Sequence, residues 1–308
     1  MAEYKCEPIS GAFELGEGPH WDEINQTLYF VDAFVGDFCK LNLSTKNLQK
    51  VHLDGTVTII IPWSGEHDDF IVSNERNLLK LTWSTKEVKL LASVDIENPN
   101  NRCNDGKCDR KGRLWIGTMG PESVPGVVDP DLGSLFSVNG NYEVIKQADK
   151  ISLSNGMLWS VDNQKMYFVD SFRRHIYLFD YDFEEGCISN KRLFFNYAKH
   201  DCEENELPDG MAVDASDKLW VACYNGGRLI RIDPETGKIM QSVRFENASK
   251  ITSLCFGGPH LNQLFVTSAF KGLSEEQHKH ETNAGHLFQV TFEKENIRGL
   301  IGDRFVAA

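Results

Sequence analysis

Three oxygen-bearing side chains stand beside glycine or proline at widely separated points of this sequence. They are Glu17 in Gly16-Glu17-Gly18-Pro19, Asn155 in Ser154-Asn155-Gly156 and Asp209 in Leu207-Pro208-Asp209-Gly210. Two carboxylates and an amide carbonyl are the donors that hard divalent cations take, whereas soft metals favour thiolate or imidazole. Brought together unpaired, the carboxylates would repel each other, and a bound cation removes that penalty. The local alternative is that each residue caps its own turn, since Asn and Asp before Gly are common turn formers. A second group, Asn101-Arg102-Cys103-Asn104-Asp105-Gly106-Lys107, offers the donor fork of Arg102 and both a donor and an acceptor on Asn104. That pair suits a polyhydroxylated or carboxylate-bearing small molecule, and Asp105 is placed to orient Asn104; a surface Arg beside an Asn-Asp-Gly turn is the local alternative. The Gly/Pro-rich run from Met119 to Gly126 reads either as a lid over such a site, within a loop spanning 119–131, or as a plain variable loop.

The elements that must carry these residues repeat. Each of the three donors opens the same phrase: a short apolar strand, a polar turn, then a β-branched and aromatic strand. The copies run Glu17 to Asp32, Ser154 to Asp170 and Leu207 to Ala222. The outgoing strands align on Phe30, Phe70, Trp115, Phe168, Trp220 and Phe265, 40 to 53 residues apart. Short strands at that period indicate a propeller with one blade per repeat. A second alternating strand follows each phrase, as in Phe38 to Leu43, Leu78 to Trp83, Ser134 to Val138, His175 to Asp180, Arg228 to Asp233 and His286 to Val290. No long window has helical periodicity, and the polar run Ser274 to Thr282 reads as a loop. The expectation is an all-β fold, a six-bladed propeller of four-stranded antiparallel blades, forming one domain over residues 1–308. Inner strands of a propeller converge on its axis, so Glu17, Asn155 and Asp209 become neighbours in space.

Composition narrows the function. A chain of 308 residues that is 41% hydrophobic can bury a large core without a partner. Its net charge of -13 repels phosphate backbones and argues against nucleic-acid binding. The N-terminal residues lack an apolar signal region, no stretch approaches a membrane span, and Arg304 to Ala308 carry no retention or peroxisomal signal, so the expected location is cytoplasmic with no membrane contact. Eight irregularly spaced cysteines fit reduced thiols, and Cys103 with Cys108 matches no zinc spacing. Neither Gly16-Glu17-Gly18 nor Gly257-Gly258-Pro259 is a nucleotide loop, and there is no His-Glu-X-X-His or Gly-X-Ser-X-Gly signature.

Taken in order, Gly16-Glu17-Gly18-Pro19-His20-Trp21, Asn101 to Lys107, Gly117-Thr118-Met119, Ser154-Asn155-Gly156, Leu207-Pro208-Asp209-Gly210 and Phe256-Gly257-Gly258-Pro259 resemble the family of gluconolactonase, regucalcin (senescence marker protein) and firefly luciferin-regenerating enzyme. The resemblance runs through essentially the whole chain. It implies one divalent cation in the axial channel, calcium first with magnesium, manganese or zinc as alternatives, held by Glu17, Asn155 and Asp209. It implies substrate contacts from Arg102, Asn104 and Glu122, with Asp209 as the catalytic base. The expected activity is metal-dependent opening of a small lactone, the cation activating a water whose proton Asp209 takes. Two other roles stay open within the family: regeneration of luciferin from its oxidised products, and calcium binding without catalysis. Cys103 departs from the larger apolar residue that relatives carry there, and Pro121 before Glu122 bears on how that carboxylate is presented.

Overall fold

The outgoing strands aligned above are where the fold is most deeply buried, and their composition is the cause. Runs such as Thr27–Asp32 (Thr-Leu-Tyr-Phe-Val-Asp) and Leu114–Met119 are buried at every position. Such β-branched and aromatic runs suit a strand covered on both faces by neighbouring sheets. Phe30, Phe70, Trp115, Phe168, Trp220 and Phe265 each lie in the second strand of a sheet and are at most 1% exposed. A computed structural model of the chain describes residues 4–124, 127–292 and 296–308, with side chains omitted at 123 and 124. It contains six four-stranded antiparallel sheets and one two-stranded hairpin. This is the six-bladed propeller that the repeat spacing predicts.

Blades 1 to 5 are each a run of four consecutive strands, apart from the small hairpin Glu122–Val124 with Val127–Val128 inside blade 3. Their inner strands are Gly16–Asp22, Ile60–Pro62, Arg102–Cys108, Ser154–Trp159 and Leu207–Val213. Blade 6 differs. Its inner three strands, Ile251–Gly257, Gln263–Ser268 and Phe288–Phe292, are completed by the N-terminal Tyr4–Pro8, paired with Cys6 opposite Val290. The ring is therefore closed by joining the two ends of the chain in one sheet.

Two glycines show how tightly the inner strands approach. A Cβ on Gly156 would sit 2.5 Å from the Asp209 carbonyl oxygen of the next blade, and one on Gly210 would collide with Ser253. Only glycine leaves room for that backbone approach.

Blade turns are organised by buried aspartates. Asp214 accepts from the Ser216 and Lys218 amides on one oxygen, and from Trp220 Nε1 (3.1 Å) and Arg231 Nε and Nη2 (2.9 and 2.6 Å) on the other. Asp109 repeats the scheme in blade 3, with Lys111, Arg113, Trp115 and Tyr181 as its donors. The segment after the last strand crosses the opposite face from the site described below. Gly299 bridges to Asp214 and donates to the Leu261 carbonyl, Arg304 pairs with Asp22 at 2.6 Å, and Val306 donates to the Gly112 carbonyl. One expectation is corrected. The run Ser274 to Thr282 contains a helix, Glu275–His280, with a Ser274/Gln277 capping box. It buries no residue, so it carries no apolar stripe for periodicity to reveal.

Candidate active site at one mouth of the channel

Five of the inner strands break register at corresponding points: between Glu17 and His20, Cys103 and Gly106, Ser154 and Met157, Pro208 and Met211, and Ile251 and Ser253. A bulge bends a strand and re-aims the side chains within it. Asn104, Asp105, Asn155 and Asp209 lie inside these bulges, and Glu17 at the edge of one. They all line one cavity of about 650 Å³, together with Arg102 and Glu122. Every residue singled out from the sequence as a metal, substrate or catalytic group thus faces the same space.

The carboxylates in that space disturb one another. Burial, with Asp105 nearby, pushes the Glu17 carboxyl up to about 8, against the opposing effects of the Gly18 amide and Arg102. Asp209 is raised well above the usual carboxylate range by burial and then by Glu17 and Asp105, opposed by Asn155. Burial likewise raises Asp105, while Lys107 pulls it down. Asp209 Oδ1 is buried with no hydrogen-bond donor. A buried acceptor left unmatched costs roughly 1–3 kcal/mol, and a positive ion beside Glu17 and Asp209 would relieve both that cost and the repulsion. Asn155 Nδ2 donates to Ser171 Oγ at 3.0 Å, which leaves the amide oxygen for coordination. The donor set therefore fits a hard divalent cation. Among the described residues, no three His, Cys, Asp or Glu side chains form a metal cluster on their own.

The neighbouring wall is built for polar contacts. Asn104 is held from two sides, accepting from Arg102 Nη1 at 3.1 Å and donating to the Ser154 carbonyl at 2.7 Å. Asp105 does not orient it, contrary to the reading of the turn. Asp105 accepts from the Gly106 amide at 2.7 Å and acts electrostatically on Glu17 and Asp209. The bulge turns Asp105 inward, a consequence that the local Asn-Asp-Gly pattern does not announce. Arg102 stacks its guanidinium 5.4 Å from the Phe34 ring centroid, with Glu122 as the carboxylate acting most strongly on it. The suggested lid at 119–131 includes the hairpin that carries Glu122; residues 125 and 126 lie outside the described residues. Cys103 is fully buried in the core between blades 2 and 3, and all eight cysteines are free.

Sequence reasoning missed three wall residues. Thr252, in the blade 6 bulge, donates to the Gly16 carbonyl at 2.6 Å. Lys250 and Tyr224, whose side chains meet at 3.1 Å, also line the cavity. The opposite end of the inner strands holds a separate small cavity of about 110 Å³, walled partly by Leu300 to Asp303.

Comparison with known proteins places the chain among relatives. Residues 15–270 match the SMP-30/gluconolactonase/LRE-like region. Regucalcin of Xenopus laevis is 39% identical over 284 residues, 92% of each chain. Among solved structures, a luciferin-regenerating enzyme superposes with a TM-score of 0.91 at 35% identity, covering 98% of this chain and 99% of that one. A calcium-binding regucalcin from Agrobacterium tumefaciens shares the fold, with a TM-score of 0.88 at 23% identity and 98% and 97% of the two chains covered.

Proposed function

We propose that this chain, which belongs to the SMP-30/gluconolactonase/LRE-like family, is a divalent-cation-dependent hydrolase that opens small lactones. The observation that carries the reading is the buried carboxylate of Asp209, raised by burial and then by Glu17 and Asp105, with its Oδ1 left without a hydrogen-bond donor in the cavity it shares with Glu17. Glu17, Asn155 and Asp209 are the residues that would hold the ion, calcium by preference of the all-oxygen donor set. When bound, the cation supplies positive charge against which the lactone carbonyl oxygen can become negative.

The chain's own residues do the rest. Arg102 and Asn104 hold the substrate hydroxyls, and Asn104 is already locked by its bonds to Arg102 and Ser154, so little is lost in ordering it. Glu122 offers an acceptor from the hairpin side. Asp209 takes a proton from the attacking water as its oxygen bonds to the ring carbonyl carbon. The ring C–O bond then breaks, and the departing oxygen receives a proton to give the open hydroxy acid.

A second reading is favoured by Phe34, Phe172 and Tyr224, which give the same cavity flat apolar faces suited to a fused aromatic ring. That reading is recycling of oxidised luciferin products. One experiment separates these from calcium binding without catalysis. Lactones and benzothiazoles are assayed with calcium, magnesium, manganese and zinc in turn. Lactone opening is expected with at least one cation, and Asp209→Asn or chelation should lower it by ~10²-fold or more with the circular dichroism spectrum intact. Turnover that survives both treatments overturns the mechanism. Turnover of benzothiazoles alone selects the second reading, and tight calcium binding with no turnover assigns the site to binding.

A further inference from the structure

The cavity contains a cation that the lactonase reading does not use. Lys250 precedes the inner strand of blade 6, and blade 6 stands opposite blade 3, which carries Arg102. Its residue is only 7% exposed, yet its ammonium has no ion-pair partner among the described residues. Its one side-chain hydrogen bond goes to the neutral Tyr224 hydroxyl at 3.1 Å, and the ammonium lies 4.9 Å from the centroid of the same ring. The carboxylate that acts on it electrostatically, Glu281, is already engaged by the Ser249 amide at 2.7 Å and the Ser249 hydroxyl. Space is kept open around the ammonium as well: a Cβ on Gly272, a left-handed residue, would lie 3.2 Å from Nζ. Lys271, on the same rim, is paired with Glu14 and lies over the Phe34 ring, 4.2 Å from its centroid.

A buried ammonium without a counter-ion is costly, and burial lowers the Lys250 pKa against the effect of Glu281; an anion brought by a ligand would offset that cost. Every other basic side chain on this wall is accounted for by a carboxylate or by the substrate-hydroxyl role. We propose that Lys250 and the Tyr224 hydroxyl form a recognition site for an anionic substituent, carboxylate or phosphate, on the far end of the substrate from the bond that is cleaved. The proposal rests on the lactonase reading and narrows its substrate class to lactones of acidic sugars. Tyr224 links the two ends of the cavity, since Asp209 and Glu17 both act on its hydroxyl. The substrate would therefore lie with its ring ester at Asp209 and its anionic group beyond Tyr224.

The test compares glucono-lactone, its 6-phosphate and glucaro-lactone, with the cation supplied. Wild-type kcat/KM is expected to favour the charged lactones by roughly tenfold or more, through KM, the size of effect a charged hydrogen bond gives. Lys250→Met should bring that ratio toward one, and Lys250→Arg should recover part of it. A preference for the phosphate over the carboxylate arm, or the reverse, identifies the anion. Equal kcat/KM on all three lactones overturns the proposal while leaving the lactonase reading standing. If no lactone is opened, the lactonase reading fails, and calorimetry with 6-phosphogluconate then decides: binding weakened by Lys250→Met sustains the anion site, and no binding sinks it. If Lys250→Met does not fold, added salt decides on the wild-type protein, since the preference should shrink as ionic strength rises.

Discussion

At the scale of single residues, proton binding ties the buried carboxylates to stability. Glu17 keeps its proton in the fold up to about 8, whereas its ordinary value is 4.5, because burial and Asp105 disfavour the charge. Between those two values the unfolded chain binds fewer protons than the folded one, so stability falls as pH rises. A cation held by Glu17 and Asp209 favours the charged forms and opposes that fall. The expected result is a chelated protein whose melting temperature drops from pH 5 to pH 8, with calcium restoring it most at pH 8. Asp209→Asn, by removing one of the interacting acids, should flatten the slope; a melting temperature independent of both pH and calcium would contradict the site. Glu17, Asn155 and Asp209 were legible in sequence because each sits next to a glycine that the close backbone approach demands. Lys250 was not. It lies in a connection outside the repeated phrase, and its meaning depends on Tyr224, which only tertiary structure brings within 3.1 Å.

At the scale of elements, the repeated phrase has a structural logic separate from the site. Asp214 gathers two turn amides, the Trp220 indole and the Arg231 guanidinium, and so ties a hairpin turn to the next two strands. Removing a buried charge that pairs with another leaves the partner uncompensated, at a cost of roughly 3–5 kcal/mol. Asp214→Ala should therefore lower the melting temperature sharply, while a lactone or cation bound at the far mouth keeps its KM or affinity in the protein that remains folded. Strand identity was readable because alternation and β-branched runs are local signals, and all six outgoing strands appear where the spacing put them. The helix Glu275–His280 was not found by periodicity, because it buries nothing. Its Ser274-X-X-Gln277 capping box, with acids in the first turn and bases in the last, was the available signal. The bulges were also hidden, since they are properties of strand pairing, and with them the inward turn of Asp105.

At the scale of the whole molecule, the sequence repeats announced six blades but not how the ring is held shut. Pairing of Tyr4–Pro8 with Phe288–Phe292 supplies one clasp, built from residues whose contact partners lie almost a full chain length away. The last segment supplies another by crossing several blades, and Phe305 is its anchor. This ring is fully buried, packs edge-on to Trp63 at 4.9 Å, stacks on Tyr142 at 6.2 Å, and its backbone bridges to Trp63 in blade 2. Residues beside it close off the small cavity, with Gly302 packed against the His20 ring. Truncating a buried phenylalanine costs roughly 3–5 kcal/mol, so Phe305→Ala should lower the melting temperature. The loss has a direction as well as a size. Amide exchange should quicken first along residues 299–308, where the Val306 and Ala308 amides donate to the Gly112 and Gly140 carbonyls. Exchange in the bulged strands around Asn155 and Asp209 should stay slow, because those strands are held by their own blades. Uniform acceleration around the ring would mean that the segment is part of one cooperative closure rather than a strap laid over a ring already shut.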